Sequence, residues 1–325
     1  MRIGGARNAA DGARPQPPLI ASPALQANVG GDRAAALPPS LLGPSAMRRQ
    51  LPAPTILVFD SGLGGLTVFR EVARARPDAR LIYAADDALF PYGQIEEPRL
   101  VVRVVAVMEG LIAEHRPDLA VIACNTASTL VLPALRARFA LPFVGTVPAI
   151  KPACASSVTR RVSVLGTEAT VKREYTQALI RQYAGDCRVT LVGAARLAGF
   201  AEAELSGSPV DDDAIRAEIR PCFVDDGGRT DTIVLACTHY PLLTARLEHL
   251  SPWPVRFIDP APAIARRVVE LVGAATADAL PVPSEAVFTS GRAVSPGLAA
   301  ALAVHGLSVP GTGPSRLADQ VMPRI

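Results

Sequence analysis

Three observations predict an α/β fold built as two pseudo-symmetric domains, each with a mostly parallel central sheet flanked by helices, and a site in the cleft between them. From position 55 onward, short apolar runs alternate with longer segments of helical character, the pattern of buried parallel strands joined by helices. V-I-A-C-N-T (Val121 to Thr126) and V-L-A-C-T-H (Val234 to His239) are near-copies, and their cysteines stand 113 positions apart. Gly166-Thr167 follows its apolar run as Asp60-Ser61 follows Phe59, at an offset of 106, so two structurally related halves are expected.

Taken in order, residues 56–59 predict a first strand, followed by a Gly-rich turn over 60–65 and a helix through 74. Strands are predicted at 81–84, 119–123 and 143–146, with helices over 98–115 and 127–138. A second series of strands is predicted at 162–165, 188–192, 232–236 and 255–258, with helical segments between the first three and a helix over 240–249. The domains are assigned to 54–148 plus 248–310 and to 149–247, between an extension over 1–53 and a tail over 311–325. In open α/β sheets ligands collect at the carboxyl ends of strands, so Asp60, Cys124, Gly166-Thr167 and Cys237 are expected to converge.

Composition narrows the function classes. At 325 residues and 49% hydrophobic, the chain can bury the cores of two domains. A net charge of +3 spread along the chain gives no basic footprint for nucleic acid. The five cysteines (124, 154, 187, 222, 237) show no CxxC pair and no zinc-finger spacing, which favours a reducing compartment and a cytoplasmic protein. No apolar stretch reaches the ~18 residues of a membrane span. Pro15, Pro17, Pro18, Pro38 and Pro39 break any helix in the first 53 residues, which read as a disordered tail or as the product of an upstream start codon chosen in error. A targeting or interaction role is the competing reading of that segment.

Cys124 opens the turn into a helix, where unpaired backbone N–H groups and the helix dipole favour a thiolate. Asn125, Thr126 and Ser128 add short polar donors suited to a carboxylate at the same terminus. The alternative is an ordinary buried cysteine, which the repeated setting at Cys237 weakens. Cys237 has Thr238 and His239 beside it, and His239 can orient or exchange a proton with the thiol, or meet a carboxylate as imidazolium. A zinc site at Cys237 and His239 lacks a supporting cluster, because His115, His249 and His305 fall in helical or tail segments.

Asp60 either caps the helix that follows or helps carry a proton and hold an ammonium group. The turn S-G-L-G-G lacks the G-x-G-x-x-G spacing and a Walker lysine, so nucleotide binding has little support. Lys151 precedes a proline and Lys172 is placed early in a helix, so neither reads as a Schiff-base amine for pyridoxal phosphate. No cofactor and no metal are expected.

V-F-D-S-G-L-G-G-L-T-V (58–68), P-Y-G (91–93), A-C-N-T-A-S (123–128), L-G-T-E-A-T (165–170) and A-C-T-H-Y-P-L-L (236–243), in that order, closely resemble the glutamate racemase family of the cofactor-independent aspartate/glutamate racemase superfamily. The resemblance spans 56–272, with a weaker continuation through F-T-S-G (288–291). It implies two α/β domains related by a pseudo-twofold axis, interconversion of L- and D-glutamate for peptidoglycan, a glutamate-sized partner and a homodimer as one form of assembly. By motif, it implies that Cys124 removes the α-proton of D-glutamate and Cys237 that of L-glutamate. Asp60 would assist Cys124, His239 would assist Cys237, and Glu202 in L-A-G-F-A-E would be the acidic helper of the second thiol. Ser61, Tyr92, Gly93, Asn125, Thr126, Thr167, Thr170 and Thr238, with Asp60 and His239, match substrate contacts. One departure concerns the run before P-Y-G, where a G-D-T-A-R-like sequence is expected and residues 85–89 read A-D-D-A-L, which puts loop packing or regulation in question. Rival readings are a racemase for aspartate, one methylene shorter, and a non-catalytic amino-acid-binding protein.

Overall fold

The computed structural model describes residues 53–309, apart from residue 277. The tail over 311–325 and all but the last residue of the extension over 1–53 therefore lie outside the described residues. β1 (Thr55–Asp60) leads through the Gly-rich turn into α1 (Leu66–Ala75), and β2 (Arg80–Ala85) leads through a loop into α2 (Glu97–His115). β3 (Leu119–Ile122), α3 (Asn125–Arg138) and β4 (Phe143–Gly145) follow, and α4 (Ile150–Ser156) takes the chain to β5 (Arg161–Gly166). Next come α5 (Glu168–Lys172), α6 (Glu174–Tyr183), β6 (Arg188–Gly193), α7 (Leu197–Leu205), α8 (Asp212–Ile219) and β7 (Thr232–Ala236). α9 (Thr244–Leu250), β8 (Arg256–Ile258), α10 (Ala261–Val272), β9 (Ser284–Phe288), α11 (Pro296–Val304) and β10 (Leu307–Ser308) complete the described chain.

The strands form a six-stranded sheet, ordered β10-β9-β2-β1-β3-β4, and a four-stranded sheet, ordered β6-β5-β7-β8. Every pair within the two sheets is parallel. The two-residue period of a strand distributes its side chains between the two faces. Ile56 and Val58 of β1 enter one core cluster while Leu57 and Phe59 enter the other. Ile233 and Leu235 of β7 are separated from Val234 and Ala236 in the same way. A fully buried side chain of the size of Phe59 or Ile233 contributes about 1.5–3 kcal/mol over leaving it exposed. The period runs on past the strand ends: Cys124 sits in the cluster of Ala120 and Ile122, and Cys237 in that of Ile233 and Leu235.

Three expectations need revision. The helix expected over 240–249 is a 3₁₀ turn at Tyr240–Leu243 followed by α9, fastened at its start by i→i−3 bonds of 3.1 Å from Tyr240 to Cys237 and from Leu242 to His239. Lys172 closes the five-residue α5 rather than opening a long helix, because Arg173 leaves helical geometry at ψ 140°. β8 pairs with β7, so the return to the six-stranded sheet comes after Ile258 rather than at 248.

Candidate active site at the strand ends

Asp60, Cys124, Gly166 and Cys237 stand at the carboxyl ends of β1, β3, β5 and β7, and hydrogen bonds between the two halves draw them together. Asp60 is fully buried, and its Oδ2 accepts the backbone N–H of Gly62 at 3.3 Å and of Gly65 at 2.9 Å. It thus caps the turn into α1, while its Oδ1 accepts the Thr238 hydroxyl at 3.4 Å from the other half. The single hydroxyl proton of Thr67 lies between the Gly64 carbonyl of its own turn, at 3.0 Å, and the Thr238 carbonyl of the other half, at 3.3 Å.

The glycines of S-G-L-G-G are explained by close approach rather than by a phosphate. A Cβ at Gly62 would lie 2.1 Å from Glu202 Oε1, and one at Gly64 would lie 2.3 Å from His239 Nδ1. Only glycine admits these side chains of the second half against the turn. Tyr83 donates to the Gly62 carbonyl at 2.6 Å and holds the turn from below.

Cys124 is the N-cap of α3 and donates its thiol to Ser61 Oγ at 3.7 Å. The expected pull of the helix terminus toward the thiolate is present but outweighed. Burial, then the negative charge of Asp60, pushes the thiol well above its ordinary range, and the pull of a backbone N–H at Ala127 is smaller. Cys237 Sγ lies 3.8 Å from His239 Nδ1, and His239 Nε2 lies 2.9 Å from Glu202 Oε1. Burial lowers the His239 pKa, but its hydrogen bonds to Cys237 and Glu202 and the charges of Cys237 and Asp60 outweigh this and raise it well above the usual value. Glu202 also accepts the Leu63 N–H at 2.7 Å, so it fixes the imidazole and the Gly-rich turn together. The Phe90 ring packs on the imidazole with centroids 5.3 Å apart.

Thr126, Thr167 and Thr170 form a triangle of hydroxyls 3.0–3.3 Å apart that joins α3 to the start of α5. Beside it a cavity of about 200 Å³ opens between Gly93 and Thr167. Asn125 is 2% exposed, and neither polar atom of its amide has a partner among the described residues. Buried amides are ordinarily bonded, so an unpaired one beside a buried thiol marks a candidate place for a ligand.

Two expected polar groups are turned elsewhere. Ser128 donates to the Ile122 carbonyl at 2.7 Å and accepts the Thr146 N–H at 3.0 Å, tying α3 to β3 and β4. The Tyr92 hydroxyl donates to Asp86 Oδ2 at 2.6 Å, leaving only its main chain for a contact beside Gly93. Asp86, fully buried, also receives Arg103 at 2.6 and 3.0 Å and the Thr289 hydroxyl at 2.5 Å. The loop that lacks the expected arginine is therefore anchored by a guanidinium from α2. Arg103, Phe90 and Thr289 escaped the sequence reading because each acts through a neighbour distant in the chain. The F-T-S-G run was the only hint, and it supplies Thr289 and the Ser290 hydroxyl that bonds Asp87 at 2.5 Å.

Parallel α/β halves that meet over two buried thiols, with carboxylate and imidazole partners but no lysine amine among them, define a protein of the racemase kind. The chain belongs to the Asp/Glu/Hydantoin racemase family, whose model matches residues 61–268. It is 54% identical over 241 residues to a glutamate racemase of Mesorhizobium japonicum, covering 73% of this chain and 92% of that one. A glutamate racemase of Brucella canis is also 54% identical, over 229 residues that cover 70% and 83% of the two chains. The crystal structure of Escherichia coli glutamate racemase, in complex with L-glutamate and the activator UDP-MurNAc-Ala, matches with a TM-score of 0.70 and 42% identity, covering 79% of this chain and 97% of that chain. Among the described residues no helix is long and apolar enough to cross a membrane.

Proposed function

We propose that this chain is a glutamate racemase that moves the α-proton of glutamate between two thiols, supplying D-glutamate for peptidoglycan. The observation that carries the reading is the pair of buried cysteines at corresponding strand ends, each with its own polar partner, in a chain 54% identical to glutamate racemases. Cys237 takes the proton of L-glutamate and Cys124 delivers one to the opposite face; for D-glutamate the roles reverse. The protonated state that burial favours at Cys124 suits it as the acid for L-glutamate. His239, cationic through its pairing, donates to the Cys237 thiolate and stabilises it, and Glu202 positions the ring. Asp60, whose carboxyl burial holds above its usual range against the pull of His239, serves the Cys124 side and the substrate ammonium.

The unpaired Asn125 amide, with Thr126, Thr167, Thr170 and Thr238, provides donors for the carboxylates, and Ser61 and the main chain at Tyr92 and Gly93 complete the wall. A carbanion α to a carboxylate is stabilised by fixed donors in a site that excludes water, where each is stronger than in bulk. The test is the circular dichroism of L- or D-glutamate incubated with the purified chain without added cofactor. Decay to zero from both sides, with aspartate little changed, supports the reading. Faster loss with aspartate, or no loss with glutamate, overturns it.

A further inference from the structure

Arg173 joins α5 to α6 in the four-stranded half, yet its guanidinium reaches into the six-stranded half. Nη1 donates to Thr129 Oγ1 of α3 at 3.3 Å, and Nη2 lies 3.5 Å from Glu97 at the start of α2. The side chain is 7% exposed whereas that of Glu97 is 60% exposed, so a buried cation faces a well-solvated counter-charge. Its Nε has no partner among the described residues. Thr129 Oγ1 in turn lies 3.2 Å from the Asn125 carbonyl and 3.3 Å from that of Thr126. A hydroxyl that accepts from a guanidinium is free to donate to only one such carbonyl at a time, so Arg173 orients the proton that ties down the first turn of α3. Through Thr129 the guanidinium is tied to the turn that begins at Cys124, the N-cap of α3.

A buried arginine with one solvated partner adds little stability by itself and is better explained by what it positions. We infer that Arg173 is a positioning residue that clasps the two halves beside Cys124 and holds the first turn of α3, so that Asn125 and Thr126 meet the substrate. The inference rests on the reading of the cleft as a glutamate site. Loss of the fork loosens the turn that binds substrate but leaves both thiols and the His239–Glu202 pair in place. Binding therefore suffers more than chemistry.

The experiment compares Arg173→Met, Arg173→Lys, Thr129→Val and the Arg173→Met/Thr129→Val double variant. Arg173→Met raises KM for glutamate about tenfold while kcat stays within about threefold, and Arg173→Lys recovers part of the loss because it keeps charge without the fork. The double variant is no worse than the worse single one, since both act through one contact. Amide exchange of a peptide spanning 125–130 is faster in Arg173→Met than in the wild type, a readout independent of turnover. Unchanged KM with unchanged exchange, or losses that add in full, overturns the clasp. If exchange quickens in Arg173→Met while the wild type itself fails to racemise glutamate, the clasp stands and the glutamate reading falls.

Discussion

Cys124 and Cys237 end matching parallel strands, but their surroundings differ in kind. The first is an N-cap thiol facing a serine hydroxyl, its proton held on by burial and then by the charge of a buried carboxylate. The second faces an imidazole held cationic by its partners, with a carboxylate behind the ring. The backbone positions two thiols alike, and the side chains then prepare one as a donor and give the other a cationic neighbour. Symmetry of the scaffold thus coexists with a division of labour. L- and D-glutamate have equal free energies, so kcat/KM must be the same in both directions, and the difference between the halves can emerge only in kcat and KM taken separately or in isotope exchange.

The largest effects come from removing either thiol. Cys124→Ser and Cys237→Ser each lower racemisation by about a thousandfold or more, because a hydroxyl is a far weaker base at the same place. The comparison sharpens in what survives: wash-out of the α-hydrogen persists only from L-glutamate in Cys124→Ser and only from D-glutamate in Cys237→Ser. Equal residual wash-out from both enantiomers would break the assignment of faces.

Gly64→Ala comes next. Its new Cβ would lie 2.3 Å from His239 Nδ1, and the backbone N of His239 is 2.6 Å away, so the imidazole must leave Cys237. The expected loss of kcat is about a hundredfold, measured beside an unchanged far-ultraviolet spectrum.

This glycine also shows what was legible in the sequence. The strand–helix alternation, both cysteines, Asp60 and His239 could be read because apolar period and local motif act over a few residues. Why Gly62 and Gly64 are glycines could not, since the atoms that exclude a Cβ belong to Glu202 and His239, more than a hundred positions away in the chain. That burial outweighs the helix terminus at Cys124 could not be read for the same reason. A helix terminus is visible in sequence, whereas full burial beside Asp60 is a property of the packed fold. The Tyr92 hydroxyl reads as a ligand contact only while Asp86 and Arg103 are out of view.

The smallest expected effects concern Glu202, which acts through His239. Glu202→Gln lowers kcat about tenfold and leaves the Cys124 side untouched. The same pair bears on stability. The folded pKa of His239 is raised well above 6.5, so its contribution is fully present below the unfolded value and is lost as pH rises through the folded one. The melting-temperature gap between the wild type and His239→Asn is therefore widest on the acid side of 6.5 and narrows as the solution is made alkaline. A gap that widens with pH would show that the ring is neutral in the fold.

The central claim, two thiols of which each serves one face, is tested most directly by racemisation of L-glutamate in D₂O, with deuterium counted in both enantiomers at early conversion. The account predicts a single α-deuterium in nearly every D-glutamate molecule and almost none in the recovered L-glutamate, with the mirror result from D-glutamate. Deuterium entering recovered substrate as fast as product would mean that one base works both faces, and would contradict it.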